Sequence, residues 1–337
     1  MTIMKSPITG KEMALKRENV SLTFRKEEFT IYSHFFYCNE SGEKFTSTEI
    51  DELNLIQVYN QYRDKHNLPF PTEIKEIRKK YGLSAAKMAE ILGFGTNSYR
   101  NYENGEVPSN SNGRLIQMVN DPIKFRDVVD LCETLASDEK SNLTDRINEL
   151  IYDSKKNVFS NKMEDYLLGS KLPDSLSGYV KPNFFKLTEM VKFFAERLEP
   201  WKTVLNKLLF YSDFLAYRSN CYSMSGVRYR AIKMGPVPNN YNSIYEFMSN
   251  KNLIDVTNIA FSENVFGFQF SKAKNIEFNS EIFSQLELDI LEKVSSKFSS
   301  MDTNQVIEFS HNEKAWIENQ SEKKLIDYRY AFAIDQI

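Results

Sequence analysis

Polar and apolar residues alternate between Ser21 and Cys38, where the chain reads SLTFRKEEFTIYSHFFYC, and that period of two predicts strands. Beyond it the period lengthens. Over 46–66, Leu53, Ile56 and Tyr59 recur at helical spacing, with Thr46 or Thr48 placed to cap the helix. The NLPFP run at 67–71 stops it, because two prolines oppose helix continuation. A further helix from Thr72 to Tyr81 turns Ile74 and Ile77 inward. Ser84 then caps a helix with Met88, Ile91 and Leu92 on one face, and a second helix buries Tyr99 and Tyr102 against it. Ala89 and Gly93 keep the turn between them small, and Gly105 suits the left-handed position after the second helix. These spacings describe a helix-turn-helix. Leu115, Ile116 and Val119 add a helix ending before Pro122, so the motif sits in a bundle of four or five helices.

Phe125, Val128, Val129 and Leu131 predict one more helix, and Leu143, Ile147 and Leu150 another. The segment from Lys171 to Gly178, KLPDSLSG, has linker composition and places the main boundary near 170–182. Helical patterning resumes with Leu187, Met190, Val191 and Phe194, then with Val204, Leu205, Leu208, Leu209 and Tyr211. SGVRYRAIKMGPVPNN is a short strand-like run closed by Gly235, Pro236 and Pro238. Phe261 to Phe270 alternates like a hairpin, and helix returns from Glu281 through Leu286, Ile290 and Val294 to Trp316 and Ile317. The expected fold is α+β, mainly α. It divides into a small β-rich module (1–50), a helix-turn-helix domain (51–122), a helical connector and linker (123–182) and a helical domain with a small antiparallel sheet (183–337).

A chain of 337 residues, 41% hydrophobic and 13% aromatic, can bury a sizeable core. Its formal charge of -3 argues against a general polyanion-coating protein, so any nucleic-acid contact must be local. Residues 72–118 are locally basic, whereas 119–165 are acidic, which puts the positive charge on the helix-turn-helix. Three distant cysteines do not read as a disulfide framework and suit a reducing cytoplasm. No apolar run approaches a membrane span, and the expectation is a cytoplasmic protein without a membrane partner.

The start of the second motif helix carries groups suited to groove readout. Asn97 and Asn101 can read adenine, Arg100 can read guanine or hold a phosphate, and Thr96 and Ser98 suit phosphates or base edges. Lys79, Lys80 and Lys87 are candidate phosphate contacts. Two turns near the N-terminus, SPITG at 6–10 and CNESGE at 38–43, have the frame of a zinc knuckle. Tetrahedral zinc needs four soft or imidazole ligands, and here Ser6, Thr9 and Ser41 stand beside Cys38, with His34 the one nearby imidazole. The reading is therefore metal-free and cofactor-free. No phosphate loop, zinc-protease motif or nucleophile elbow occurs, and the chain is read as not an enzyme. His311 is expected to be packed or hydrogen-bonded, Cys132 and Cys221 to be small core residues, and Asp213 to sit in a salt bridge or backbone cap.

LGFGTNSYRNYENGEVPSN, from Leu92 to Asn110, resembles the G-x-N-x-F-x-R-Y-E-x-G-x-x-P pattern of the MqsA-type antitoxins. That family joins an N-terminal zinc module to a dimerising helix-turn-helix that represses its own operon. Asn97 matches the family's base-reading asparagine, while the family's arginine position is Asn101 here, beside Arg100. Residues 183–335 resemble the Panacea (SocA-like) domain, found in antitoxins paired with unrelated toxins. The resemblance rests on KLLFYSD (Lys207, Leu208, Tyr211, Asp213), YRAIKMGPVP (Tyr229, Gly235, Pro236, Pro238) and SHNEKAW (His311, Trp316). It implies an inhibitor that binds a toxin encoded beside it, often a blocker of translation.

The two resemblances combine into one mechanism. The C-terminal domain would cover a cognate toxin, and the N-terminal half, as a homodimer, would bind operator DNA at half-sites about one turn apart. Three alternatives remain open at this point: a stand-alone ligand-sensing regulator, a protease adaptor that delivers a bound toxin, and an enzyme.

Overall fold

The structure, a computed structural model, describes residues 4–156, 158–169, 172–262, 265–274, 276–334 and 337. Lys171, at the head of the expected linker, and Glu263 and Asn264, within the expected hairpin, lie outside the described residues. The chain is α+β and mainly α, and it divides into two units, Met1–Val158 and Phe159–Ile337.

The period-two stretch forms a long hairpin. The strands β1 (Met4–Lys5), β2 (Glu12–Phe24), β3 (Glu27–Tyr37) and β4 (Lys44–Phe45) lie in that order in one antiparallel sheet. Register is set by a two-residue turn in which Arg25 and Lys26 both take positive φ, 48° and 68°. This backbone disfavours ordinary side chains. Here the Arg25 guanidinium offsets that cost by donating to the carbonyls of Val107 (2.7 Å) and Pro108 (3.0 Å).

Helix α1 (Thr48–His66) is capped by neither expected threonine; the cap is Ser47, whose Oγ accepts from the Ile50 N–H. The expected apolar stripe is also displaced. Leu53, Ile56 and Tyr59 are only half-buried, and the buried face carries Asn54, Gln57, Val58 and Tyr62. The reason lies in the edge of β3. Asn54 accepts from the His34 N–H (2.8 Å) and donates to its carbonyl (3.0 Å), and Gln57 does the same for Tyr32 at 3.0 and 2.9 Å. Gln61 donates to the Thr30 carbonyl (3.0 Å). Side-chain amides at positions i, i+3 and i+7 of a helix thus stand in for the peptide groups of a missing strand, and cover an edge that would otherwise be open.

Helices α2 (Pro71–Lys80), α3 (Ala85–Ile91), α4 (Ser98–Glu103), α5 (Asn110–Met118), α6 (Pro122–Leu131) and α7 (Ser137–Lys156) complete the first unit. Pro71 does more than break α1, because it occupies the first turn of α2, where a missing N–H costs nothing. The expected inward residues Ile74, Ile77, Met88, Ile91, Leu92, Tyr99 and Tyr102 share one core with Ile116, Val119, Phe125, Val129 and Ile147.

The second unit holds α8 (Val158–Leu168), at whose start the division falls, α9 (Phe184–Leu198), α10 (Lys202–Asn220), β5 (Tyr229–Ile232), β6 (Gly235–Pro238), α11 (Tyr241–Asn250), β7 (Asp255–Ser262), β8 (Val265–Ser271), α12 (Gln285–Phe298), α13 (Thr303–His311), α14 (Lys314–Ile317) and β9 (Leu325–Ile326). Every residue of α10 from Leu205 to Tyr217 is buried, as expected of a helix that is its domain's core. A three-stranded sheet, β6-β5-β9, packs beside it, and β7 and β8 form a separate hairpin. The segment after Lys171 is tied down rather than loose. Asp174 accepts from the N–H groups of Leu176 and Ser177 and pairs with Arg228 (2.8 Å), and Tyr179 is buried. Its turn-forming residues have the composition of a linker because composition does not show which partners a turn meets.

Candidate functional site

The helix-turn-helix assembles from the local signals the sequence carries. Ser84 Oγ accepts from the Lys87 N–H (3.1 Å), Gly93 holds the turn at φ 68°, and the Glu106 N–H closes on the Asn101 carbonyl (3.0 Å) after α4. The Tyr99 hydroxyl donates to the Ile74 carbonyl (2.8 Å) and so fixes α4 across α2. A pair that sequence reasoning misses locks the same joint. Arg78 grips Glu103 through two nitrogens, at 2.5 and 2.9 Å, and donates to the Leu83 carbonyl at 2.7 Å. Glu103 holds the Arg78 guanidinium above its ordinary pKa. The only available signal is an arginine and a glutamate on two predicted helices, and their pairing depends on the crossing of those helices.

Mounted on this frame, Thr96, Asn97, Arg100 and Asn101 are exposed together around the start of α4, with Ser98 half-buried at its first position. Arg100 has no side-chain hydrogen bond or ion pair among the described residues. The three lysines differ. Lys79 is exposed, but Lys80 donates to the Asn120 carbonyl (2.6 Å), and Lys87 lies between Glu90 (3.0 Å) and Glu139 (3.1 Å). Lys87 thus pairs with two partly exposed carboxylates, one of which, Glu139, arrives from a distant part of the chain that local charge counting cannot place.

The two N-terminal turns match bond for bond. Gly10 N–H donates to the Ser6 carbonyl and Ser6 N–H to that of Lys11, both at 2.8 Å; Gly42 to Cys38 and Cys38 to Glu43 repeat this at 2.9 and 3.0 Å. Thr9 Oγ1 lies 3.5 Å from Cys38 Sγ. Hydrogen bonds from Ser41 and Ser6, then Thr9, bring the Cys38 thiol down to about 6. Hydroxyl-bearing residues stand where three of the four ligands would be and leave a single sulfur, whereas a zinc ion would need several anionic or imidazole ligands. Among the described residues no three His, Cys, Asp or Glu side chains converge to hold a metal. His34 is engaged elsewhere, its Nδ1 3.3 Å from Asn54 Oδ1, and burial, with Arg17 nearby, lowers its pKa to about 4.

In the second unit the motif residues converge around α10. Asp213 is fully buried and, of the salt bridge or backbone cap expected for it, takes the cap: no ion pair to it occurs among the described residues. Its carboxylate accepts from the N–H groups of Met224 and Ser225, both at 2.8 Å, and from the hydroxyls of Ser225 (2.5 Å) and Tyr229 (2.8 Å). Burial raises its pKa even so. Tyr229 pairs across the sheet with Pro238, and Ile232 with Gly235. The Trp316 indole donates to the Ile232 carbonyl (2.7 Å), and His311 stacks on Trp316 at 3.7 Å. Tyr211 donates to Glu313 (3.2 Å), while Leu208 and Pro236 are buried packing.

Gly235 has φ 97°, and a Cβ there would lie 2.6 Å from Lys207 Cε and Ser310 Oγ. Lys207 itself is buried, its ammonium has no hydrogen-bond partner among the described residues, and burial lowers its pKa to about 7. Of the two cysteines expected in the core, Cys221 is fully buried, whereas Cys132 is half-exposed at the end of α6 beside Thr134 (3.3 Å).

Both units match families of one biological class. Residues 4–123 match the family of the antitoxin component of bacterial toxin–antitoxin systems, MqsA. Residues 205–317 match the antitoxin SocA-like Panacea domain. The chain thus carries two antitoxin modules in tandem, the first on the unit with the helix-turn-helix and the second on the unit built around α10. A comparison with curated proteins gives no significant match. No helix among the described residues is long and apolar enough to cross a membrane.

Proposed function

We propose that this antitoxin neutralises a toxin encoded beside it by direct binding through residues 183–337, and represses its own operon through the helix-turn-helix. The observation that carries this reading is the tandem itself. One module presents Thr96, Asn97, Arg100 and Asn101 on a braced helix, chemistry suited to base edges and phosphates. The other has its motif residues turned inward as scaffold, which leaves its outer surface for a partner. Met118, Ile123 and Leu131, on α5 and α6, are exposed apolar residues available to a homodimer contact. Such a dimer would set two α4 helices on half-sites about one DNA turn apart. The toxin is read as an inhibitor of translation, and the complex as cytoplasmic.

The test uses the adjacent gene. Its expression alone should arrest growth, and co-expression of the full chain or of residues 159–337 should restore it. Residues 1–158 should instead retard DNA from upstream of the operon. Rescue by residues 1–158 alone would reverse the division of labour.

A further inference from the structure

A groove of about 380 Å³ opens in the second unit between α11 and one face of the β7–β8 hairpin. Register places three residue pairs along that face: Val256 with Phe270, Asn258 with Phe268, and Ala260 with Phe266. The first pair is covered, since Phe270 is buried and its ring meets that of Tyr245 at 4.8 Å. Further out, Phe268 is 37% exposed and Phe266 55%. The aromatic row therefore begins in the core and runs out into solvent, whereas a sheet face meant for water carries polar residues at these positions.

Charge adds direction to the groove. At its mouth the Lys202 ammonium lies 4.2 Å from the Phe268 ring centroid and donates to Asn242 (3.2 Å), with no carboxylate partner among the described residues. Burial lowers its pKa, the sign of a cation losing water without a compensating anion. Glu246, one helical turn beyond Asn242, also lines the groove. The site thus offers an apolar floor, a cation at one place and an acceptor at another.

Resting on the reading that the second unit takes the toxin, we propose that this groove is the docking site, and that its occupant is a toxin segment bearing an aliphatic or aromatic side chain next to a carboxylate. The apolar group enters between Phe268 and Tyr245, and the carboxylate meets Lys202. A donor of the same segment faces Glu246. An apolar anchor in a pocket with a desolvated ion pair at its rim is the arrangement that concentrates binding energy in few residues.

The experiment titrates the full-length chain with the purified product of the adjacent gene, by calorimetry at two salt concentrations. Phe268→Asp and Lys202→Glu should each weaken binding at least tenfold with melting temperatures unchanged. Lys202→Glu should also reduce the salt dependence, and Ile317→Ala, at an exposed apolar residue on α14, should bind like the parent. Two groove variants that bind within twofold of the parent would overturn the docking site and leave the neutralisation reading standing. Failure of the parent chain itself to bind the product overturns both. Loss of self-association in Phe268→Asp, with toxin binding kept, assigns the groove to a second copy and overturns the proposal.

Discussion

Lys207→Met should stabilise the second unit and remove part of its pH dependence. The lysine is fully buried, finds no acceptor among the described residues, and has a pKa of about 7 in the fold against an ordinary 10.5. Between those values the unfolded chain holds a proton that the folded chain has released, so stability rises with pH across the window. Below pH 7 both states are protonated and the penalty for a buried ammonium stands in full. Each tenfold loss of proton affinity corresponds to about 1.4 kcal/mol, so the whole span is worth about 5 kcal/mol. Of this, about 2 kcal/mol is recovered between pH 7 and pH 9. Methionine keeps an unbranched stem of similar volume and removes the amine. Denaturant unfolding of parent and variant at pH 7 and pH 9 gives the comparison. The variant should be more stable at pH 7, and its advantage should shrink by about 2 kcal/mol at pH 9, roughly 4–8 °C in melting temperature for a unit of this size. A variant less stable at pH 7, or two pH dependences that run parallel, would show that the amine has a compensating partner and would refute the reasoning.

Other outcomes can be checked alongside. Asn97→Ala should weaken operator binding by about tenfold or more, the worth of a bidentate base contact, while toxin neutralisation in the growth assay is unchanged. Arg78→Ala leaves Glu103 nearly buried without its cation. It should cost the first unit about 3 kcal/mol in denaturant unfolding, and a loss below about 1 kcal/mol would mark the pair as incidental. The Cys38 thiolate, followed by its ultraviolet absorbance, should titrate near pH 6, and Ser41→Ala should move that midpoint up. As an acid with a lowered pKa, Cys38 favours the fold increasingly as pH rises from about 6 to its unfolded value, and that slope should diminish in Ser41→Ala.

The helix-turn-helix was legible because its signals are local. A cap at Ser84, a glycine turn at Gly93 and apolar residues three or four apart act within one or two helical turns, so the spacing carries the geometry. The same holds for the knuckle turns, whose shape follows from backbone bonds within six residues and persists where three of four ligand positions carry hydroxyls. Motif strings likewise located the second module, although they said nothing of what each residue does.

What the tertiary structure alone decided is which polar side chains meet. Asn54 and Gln57 break the apolar rhythm of α1, and only the approach of β3 turns them into substitutes for a strand. Local charge reads Lys87 as a phosphate contact and only the fold sets Glu139 beside it; Asp213 reads as a salt bridge or a backbone cap, and only the fold supplies the four donors that make it a cap. The groove at Lys202 exists because the start of α10 lies beside α11 and the β7–β8 hairpin, which come much later in the chain. Hydrophobic periodicity records which face of an element leaves water. It holds no information on the partner across the contact, because directional bonds depend on distances that only the packed chain sets.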